Sequence, residues 1–331
     1  MSKIDFVILW VDGNDPKWLE EKNKYLNDKK MLTASASRYR DWDNLQYWFR
    51  GVEKFAPWVN NIYFITWGHV PSWLNINHPK LKIVNHKDYL DEKNLPVFNS
   101  NAIELEMHKI TGLSEHFVAF NDDMFIINNV EESDFFRNGK PCDNFVENNV
   151  IAFGKHGQTM HGVLNNMDII NRHFRKRSVI RKNFFKIFNY KYGMRNFRTI
   201  FLLPWYAFCG FHNHHLPLSY CKSTFIKVWK LEKELLKKTL THKFRTNDDI
   251  THWVMRYWQL CEGNFTPRSI KFGKYFDVSK DNSKLINYIE KQKCKTICIN
   301  DTNDDIDFNK SVVEIRSAFE NILPDKSSFE I

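Results

Sequence analysis

This 331-residue sequence predicts an α/β fold with a mainly parallel sheet flanked by helices and a basic helical insertion. Three observations point to it. Short, strongly apolar runs alternate with helical patterns over the first ~130 residues, as in a parallel sheet with crossover helices. The runs end abruptly in Asp, Asn or Gly, at the strand ends where open α/β sheets place ligands. Residues 172–198 break the alternation, with ten Lys or Arg (172, 175, 176, 177, 181, 182, 186, 191, 195, 198) and no Asp or Glu.

The elements follow in order. Phe6 to Val11 is apolar and partly β-branched, as suits a strand covered on both faces, and Asp12, Gly13, Asn14, Asp15 and Pro16 stop it. Residues 17–30 read as a polar helix with Pro16 near its first turn. Leu45, Trp48, Phe49 and Val52 recur at helical spacing until Pro57. "NNIYFITWG" and "KLKIVNHKDYL" supply a second and a third strand. "NSNAIELEMHKITGL" is a helix that Asn99 or Ser100 caps, and "HFVAFNDDMFII" is a strand broken by Asn121, Asp122 and Asp123. Residues 150–198 lack the alternation and read as an insertion. A periodic helix is expected from Ser219 to Leu240, then another that Asn247 or Asp248 caps, then a strand, an acidic turn and a last helix. With no repeats or low-complexity linkers, no domain boundary can be drawn inside 1–331.

Composition narrows the class. A chain with 43% apolar and 15% aromatic residues, 12 Gly and 10 Pro is globular rather than disordered. The first residues form neither a signal peptide nor a spanning helix, and the six Cys (142, 209, 221, 261, 294, 298) show no CxxC pair, so a reduced, cytoplasmic setting is expected. The formal charge of +9 is local, since removing the ten basic residues of 172–198 leaves 9 − 10 = −1. Phe174, Phe184, Phe185, Phe188, Tyr190 and Tyr192 interleave with them. That mixture fits an anionic partner such as membrane lipid, a phosphate-containing polymer or nucleic acid, and equally a solvated helical face over core aromatics. No recognised nucleic-acid motif accompanies it, and nucleic acid is not expected as a partner.

The strand-ending acids recur. Asp122 and Asp123 follow Phe120, Asp248 and Asp249 lie near Arg245 and His252, and Asp301, Asp304 and Asp305 follow Ile299. Any one such turn is explained by a cap or an Asx-turn. Together they supply hard oxygen ligands for Mg²⁺ or Mn²⁺, ions that bind a diphosphate at the same time. His212, His214 and His215 crowd into four positions before Pro217, without the i, i+4 spacing or Cys partners of a zinc site. A histidine presented by a loop as acid, base or phosphate contact, or a satisfied surface histidine, fits them better than zinc.

These residues also carry a family likeness. "FVILWVDGNDPKW" resembles the first block of the Stealth family, "SRYRDWDNLQYWF" through "LSEHFVAFNDDMFI" its second, "FHNHHLPLSYCKSTF" with "FRTNDDITHWVMRYW" its third, and "ICINDTNDDIDF" its fourth. Stealth proteins are sugar-1-phosphate transferases. Bacterial members build phosphate-linked capsules and surface polysaccharides, and animal relatives place N-acetylglucosamine 1-phosphate on lysosomal glycoproteins. Without the animal enzymes' membrane segments and extra modules, the resemblance implies the bacterial type, on a Rossmann-like or GT-A-like sheet.

The resemblance implies one catalytic domain over 1–331, with 150–215 as an insertion or acceptor-side subregion. It implies transfer of hexose-1-phosphate or N-acetylhexosamine-1-phosphate from a UDP-sugar to a hydroxyl of a glycan or lipid-linked oligosaccharide, with UMP released. A conventional glycosyltransferase releasing UDP is the alternative. Asp122, Asp123, His215 and Arg245 would be catalytic, and Asp12, Gly13, Arg38, Asp41, Asn101, Asn300 and Asp301 would hold substrate. Asp122, Asp123 and Asp301 would hold Mg²⁺ or Mn²⁺, and residues 172–198 would touch the inner face of the membrane or the acceptor.

Overall fold

The computed structural model describes residues 3–26, 42–152, 157–301 and 305–331. Its strands in chain order are β1 (Ile4–Leu9), β2 (Ile62–Thr66), β3 (Leu81–Asn85), β4 (His116–Asn121), β5 (Met124–Ile126), β6 (Phe136–Arg137), β7 (Lys140–Asp143), β8 (Leu218–Cys221), β9 (Thr266–Pro267), β10 (Gly273–Asp277) and β11 (Thr296–Asn300). The main sheet has the order β3-β2-β1-β4-β8; its first four strands are parallel and β8 is antiparallel to β4. A second sheet has the order β10-β11-β5, with β10 parallel and β5 antiparallel to β11, and a third the order β6-β7-β9.

The apolar runs become strands because both faces are covered. Successive side chains point to opposite sides, so Phe6 and Ile8 pack with Trp48, Phe49 and Val52, while Val7 packs with Leu105, Phe225 and Val254 on the other face. The helix Leu45–Phe55 reaches β5 through Gly51, where a Cβ would lie 2.6 Å from the Ile126 carbonyl oxygen. That close approach brings the second sheet against the main one. The chain leaves the main sheet at Asn121 and enters the second at Met124, so Asp122 and Asp123 are the two-residue junction between them.

Three details differ from the sequence expectation. Ser219 pairs with Val118 in a strand instead of opening a helix, because laddering against β4 outweighs helical periodicity. The expected long helix is two, Lys222–Leu231 and Lys233–Leu240, broken at Glu232, whose buried carboxylate takes Arg172 at 3.1 Å and His173 at 2.5 Å. His252, rather than Asn247 or Asp248, precedes the helix Trp253–Glu262. Asp248 is exposed and paired with Lys238 at 2.9 Å, and Asp249 is buried for another purpose described below.

Residues 157–201 form a succession of helices: Gly157–His173, Lys176–Lys182, Phe184–Ile187, Tyr190–Arg195 and Asn196–Phe201. Lys176 fastens them. Fully buried, it donates to Glu147 Oε1 at 2.7 Å and to the Leu202 carbonyl at 2.5 Å, while Thr199 Oγ1 accepts from the Glu147 N–H at 3.0 Å. No helix among the described residues is long and apolar enough to cross a membrane.

Lys176→Met leaves the buried Glu147 carboxylate uncompensated and is expected to cost about 3–5 kcal/mol in urea unfolding, most of it restored by adding Glu147→Leu. A loss no larger in the single variant than in the double one would contradict this. A pH effect follows from two other buried groups. Burial first, then nearby cations or histidine, holds His86 and His108 at about 4, below the ordinary 6.5. Both rings stay neutral in the folded protein, while the unfolded chain takes up protons as pH falls through about 6.5. Their stability contribution is therefore complete above that pH and lost as pH drops toward 4. Tm is expected to fall from pH 7 to pH 5, and to fall less in His108→Phe; an equal fall in both would contradict it.

Candidate active site

In the main sheet Leu9 and Asn121 sit side by side at the C-terminal ends of β1 and β4, so the loops that follow them leave from one edge. On the β4 side the junction residue Asp123 is the centre. Its backbone carbonyl accepts from the Ile299 N–H at 2.8 Å, and its Oδ2 lies 3.2 Å from Cys298 Sγ and 3.5 Å from His215 Nε2. Asn121 Nδ2 lies 3.4 Å from the same His215 nitrogen. His215 has φ 43°, a left-handed conformation that costs a non-glycine residue about 1–3 kcal/mol and persists where surroundings enforce it.

The surroundings that enforce it include Arg256. This fully buried guanidinium binds Asp143 through two bonds of 2.7 and 3.0 Å and donates to the His212 carbonyl at 3.2 Å and to Asn213 Oδ1 at 3.1 Å. The histidine loop is thereby tied to the end of β7. Burial, then Arg195 and Arg256, pushes His212 down to about 3; burial, then Arg256 and Arg268, holds His214 well below the usual histidine range. Both are neutral at neutral pH, and neither lies in the Asp123 group.

The second sheet supplies the opposite wall. Asn300 and Asp277 face each other in the β10–β11 register, with Asn300 Nδ2 donating to Asp277 Oδ1 at 3.0 Å and Tyr275 Oη to the same oxygen at 2.5 Å. The Tyr275 and His215 ring centres are 6.0 Å apart. Burial, then Asp123, Asp277 and Asp122, raises the Cys298 thiol well above its ordinary range. Three carboxylates therefore bear on one protonated thiol. Asp301 accepts from Trp42 Nε1 at 3.2 Å.

Asp123, His215 and Cys298 form the one group of potential metal ligands among the described residues, their ligand atoms all within 4.8 Å of one another. Asp122 and Asp301 are not part of that group. Asp123 Oδ1 is buried without a hydrogen-bond partner, so a hard oxygen is available to a cation such as Mg²⁺ or Mn²⁺. The protonated thiol is not a ligand for such an ion.

Asp12 lies beyond β1, where its N–H donates to His69 Nε2 at 2.8 Å and its Oδ1 accepts from the Asn14 N–H at 2.8 Å, with Gly13 buried between. Burial lowers His69 despite Asp15 and Asp12. Asn101 and Arg245 belong to a third cluster. Asp249 Oδ2 accepts from Asn99 at 2.8 Å and from Asn101 at 3.0 Å, and its Oδ1 meets His242 at 2.7 Å. Arg245 donates to Ser100 Oγ, and its carbonyl accepts from Gln158 at 2.6 Å. Phe98 connects this cluster to the β1 and β2 ends, stacking on Phe244 at 5.3 Å and meeting Trp18 at 5.9 Å and Trp67 at 6.1 Å.

The structure thus brings Asp123 and His215 into contact and sets Asn300 on the facing wall, while Asp12, Asn101 and Arg245 each have other partners, respectively His69, Asp249 and Ser100. Arg38 and Asp41 lie outside the described residues. Sequence reasoning missed Asn121, Tyr275, Asp277 and Cys298. Asp277 carried the same strand-ending signal as the others, whereas a buried Cys in an alternating strand carries none.

Comparison with known proteins adds the family. Residues 2–30 match the model of Stealth protein CR1, conserved region 1, and residues 38–143 that of Stealth protein CR2, conserved region 2. The chain is 46% identical over 332 residues to a capsular polysaccharide phosphotransferase WcwK of Streptococcus pneumoniae, covering 100% of this chain and 98% of that one. It is 42% identical to the exopolysaccharide phosphotransferase cps2G of Lactiplantibacillus plantarum, covering 99% and 96%, and 40% identical to the receptor polysaccharide phosphotransferase WefC of Streptococcus gordonii, covering 100% of both. A solved structure of the galactosyltransferase LgtC with donor and acceptor sugar analogues is similar over 95% of both chains, with 11% identity and a TM-score of 0.37. Matched along its whole length at such identities, the chain belongs to the Stealth family and is a phosphotransferase.

Proposed function

We propose that this phosphotransferase moves a hexose-1-phosphate or N-acetylhexosamine-1-phosphate from a UDP-sugar to a hydroxyl of an acceptor glycan in capsular or cell-surface polysaccharide synthesis. The observation that carries the reading is the Asp123–His215 contact at the junction of two sheets, walled by Cys298 and, across β10 and β11, by Asp277 and Asn300. The acceptor oxygen attacks the β-phosphorus, forming an O–P bond. The bond from that phosphorus to the bridging oxygen breaks, and UMP departs with the bridging oxygen.

Each residue has a place in this. His215 takes the acceptor hydroxyl's proton, and the Asp123 carboxylate beside it stabilises the imidazolium. Arg245 and, outside the described residues, Arg38 offset charge on the diphosphate. Asp12 and Gly13, with Asn101, Asn300, Asp301 and Asp41, hold the nucleotide sugar. Asp123 would offer its Oδ1 to Mg²⁺ or Mn²⁺, which when bound neutralises phosphate charge, whereas Asp122 and Asp301, expected from the sequence to share the ion, lie outside that ligand group. The remaining residues position: Arg256 holds the histidine loop, and Asn121 orients His215.

Residues 1–331 then act as one catalytic unit, with 150–215 as its acceptor side, at the cytoplasmic face of the membrane. A lipid-linked acceptor fits that setting.

Asp123→Asn and His215→Ala are each expected to lower kcat by about 10²–10⁴ with Tm nearly unchanged. Arg245→Ala is expected to lower kcat/KM by a similar factor. The assay is chromatographic detection of UMP from UDP-N-acetylglucosamine, UDP-galactose and related donors with a capsule-type oligosaccharide. UDP as the nucleotide product would overturn the reaction type, and near-normal rates in all three variants would overturn the assignments. EDTA is expected to abolish UMP formation and added Mn²⁺ or Mg²⁺ to restore it; activity unaffected by EDTA would remove the metal.

A further inference from the structure

The surface formed by residues 175–206 combines two properties that a water-facing surface ordinarily avoids. Large apolar side chains stand outside: Phe185 and Tyr190 are 85% exposed, Tyr206 88%, Met194 77% and Phe201 73%. Acidic residues are absent, since none occurs between Asp168 and Glu232. Exposed apolar side chains in this number, with Phe184 meeting Phe185 at 5.6 Å and Phe197 meeting Phe201 at 6.4 Å, mark an interaction site.

The exposure does not reflect a loose segment. Ile187, Tyr192, Thr199 and Leu202 are buried beneath it. Lys186 donates to the Gly263 carbonyl at 2.5 Å, Lys191 to the Pro267 carbonyl at 3.0 Å, and Asn196 to the Asn189 carbonyl at 2.8 Å. These short helices are fastened from the inside while Phe and Trp face out. The structure also divides the ten basic residues of 172–198. Lys176, Lys186 and Lys191 turn inward and Arg195 is half-buried, whereas Arg172, Arg175, Arg177, Arg181, Lys182 and Arg198 are exposed, with Arg181 and Lys182 one residue short of Phe184 and Phe185 and Arg198 directly after Phe197.

We infer that this face docks on a lipid bilayer with anionic headgroups. Phe185, Phe201, Trp205 and their neighbours enter the boundary between headgroups and acyl chains, and the exposed guanidinium and ammonium groups meet lipid phosphates. Trp and Tyr favour that boundary, and Lys and Arg beside them keep their charges at headgroup level. Phenyl and aliphatic groups beside guanidinium and ammonium groups suit a boundary that is apolar on one side and anionic on the other. The inference rests on the transfer reading above for its meaning, since it places the acceptor side of the site at the membrane. It also moves the membrane contact from the basic stretch toward the aromatic ridge that ends at Tyr206.

Co-sedimentation of the full chain with vesicles of phosphatidylcholine alone, or mixed with phosphatidylglycerol, tests it. Binding is expected to be about tenfold or more stronger with phosphatidylglycerol and to weaken as salt rises. The triple variant Phe185→Ser, Phe201→Ser, Trp205→Ser and the charge-reversed variant Arg177→Glu, Arg181→Glu, Lys182→Glu are each expected to lose most of that binding. Both are expected to unfold at the wild-type Tm, so that the loss of vesicle binding is not a loss of fold. Wild-type protein left in the supernatant with phosphatidylglycerol vesicles, or aromatic variants that bind like wild type, would overturn the inference. So would a dimer in light scattering that the aromatic variant splits, since the face would then join two copies of the chain. Vesicle binding needs no donor sugar, so failure of UMP release in the wild type would count against the transfer reading alone.

Discussion

Two contacts to Asp123 hold the candidate site together: the Ile299 N–H on its backbone carbonyl at 2.8 Å and the Cys298 thiol on its Oδ2 at 3.2 Å. Both come from β11, whereas Asp123 follows β4. They fix the second sheet against the main one at the point where the chain crosses between them. An acidic residue at a loop tip would be free to move. Here the carboxylate is pinned by the ladder that joins the sheets, so its unpartnered Oδ1 has a fixed direction. A site built on strand ends is better ordered than one built on loops.

The electrostatics follow from that placement. Burial first, and then Asp123, Asp277 and Asp122, raise the Cys298 thiol. Gathering like charges in a partly buried place costs stability unless positive charge arrives, and a divalent cation accompanied by a diphosphate meets that need. One buried positive charge near the histidine loop, Arg256, is engaged in holding that loop. Arg256 donates to Asp143, to the Asn144 and His212 carbonyls and to Asn213 Oδ1, which ties the histidine loop that carries His215 to the end of β7.

Much of the fold was legible because β1, β2 and β4 are buried on both faces and therefore read as unbroken apolar runs, whereas β3, with Lys82 and Ile83 exposed, is a mixed run that still reads as a strand. The β1, β2, β3 and β4 segments, and the Asn99 cap that accepts from the Asn101 N–H, follow directly from the residues. Ser219–Tyr220 did not, because pairing with β4 is a tertiary effect that helical spacing cannot reveal. The short strand β10 was missed because four of its five residues are partly or fully exposed, which blurs its alternation. In the site, the Asp and His that stop apolar runs were legible one by one. Their grouping was not: that Asp123 meets His215 across 92 positions, while Asn101 meets Asp249 instead, depends on how the sheets pack. Cys298 and Asn121 gave no signal, since each matters only for what it touches.

A crystal structure of the protein with Mn²⁺ and a non-hydrolysable UDP-sugar analogue tests the central claim most directly. The expected result is an anomalous Mn²⁺ peak against Asp123 Oδ1, with the β-phosphate between that peak and His215. A diphosphate bound away from the β4–β5 junction, with Asp123 and His215 untouched, would contradict it.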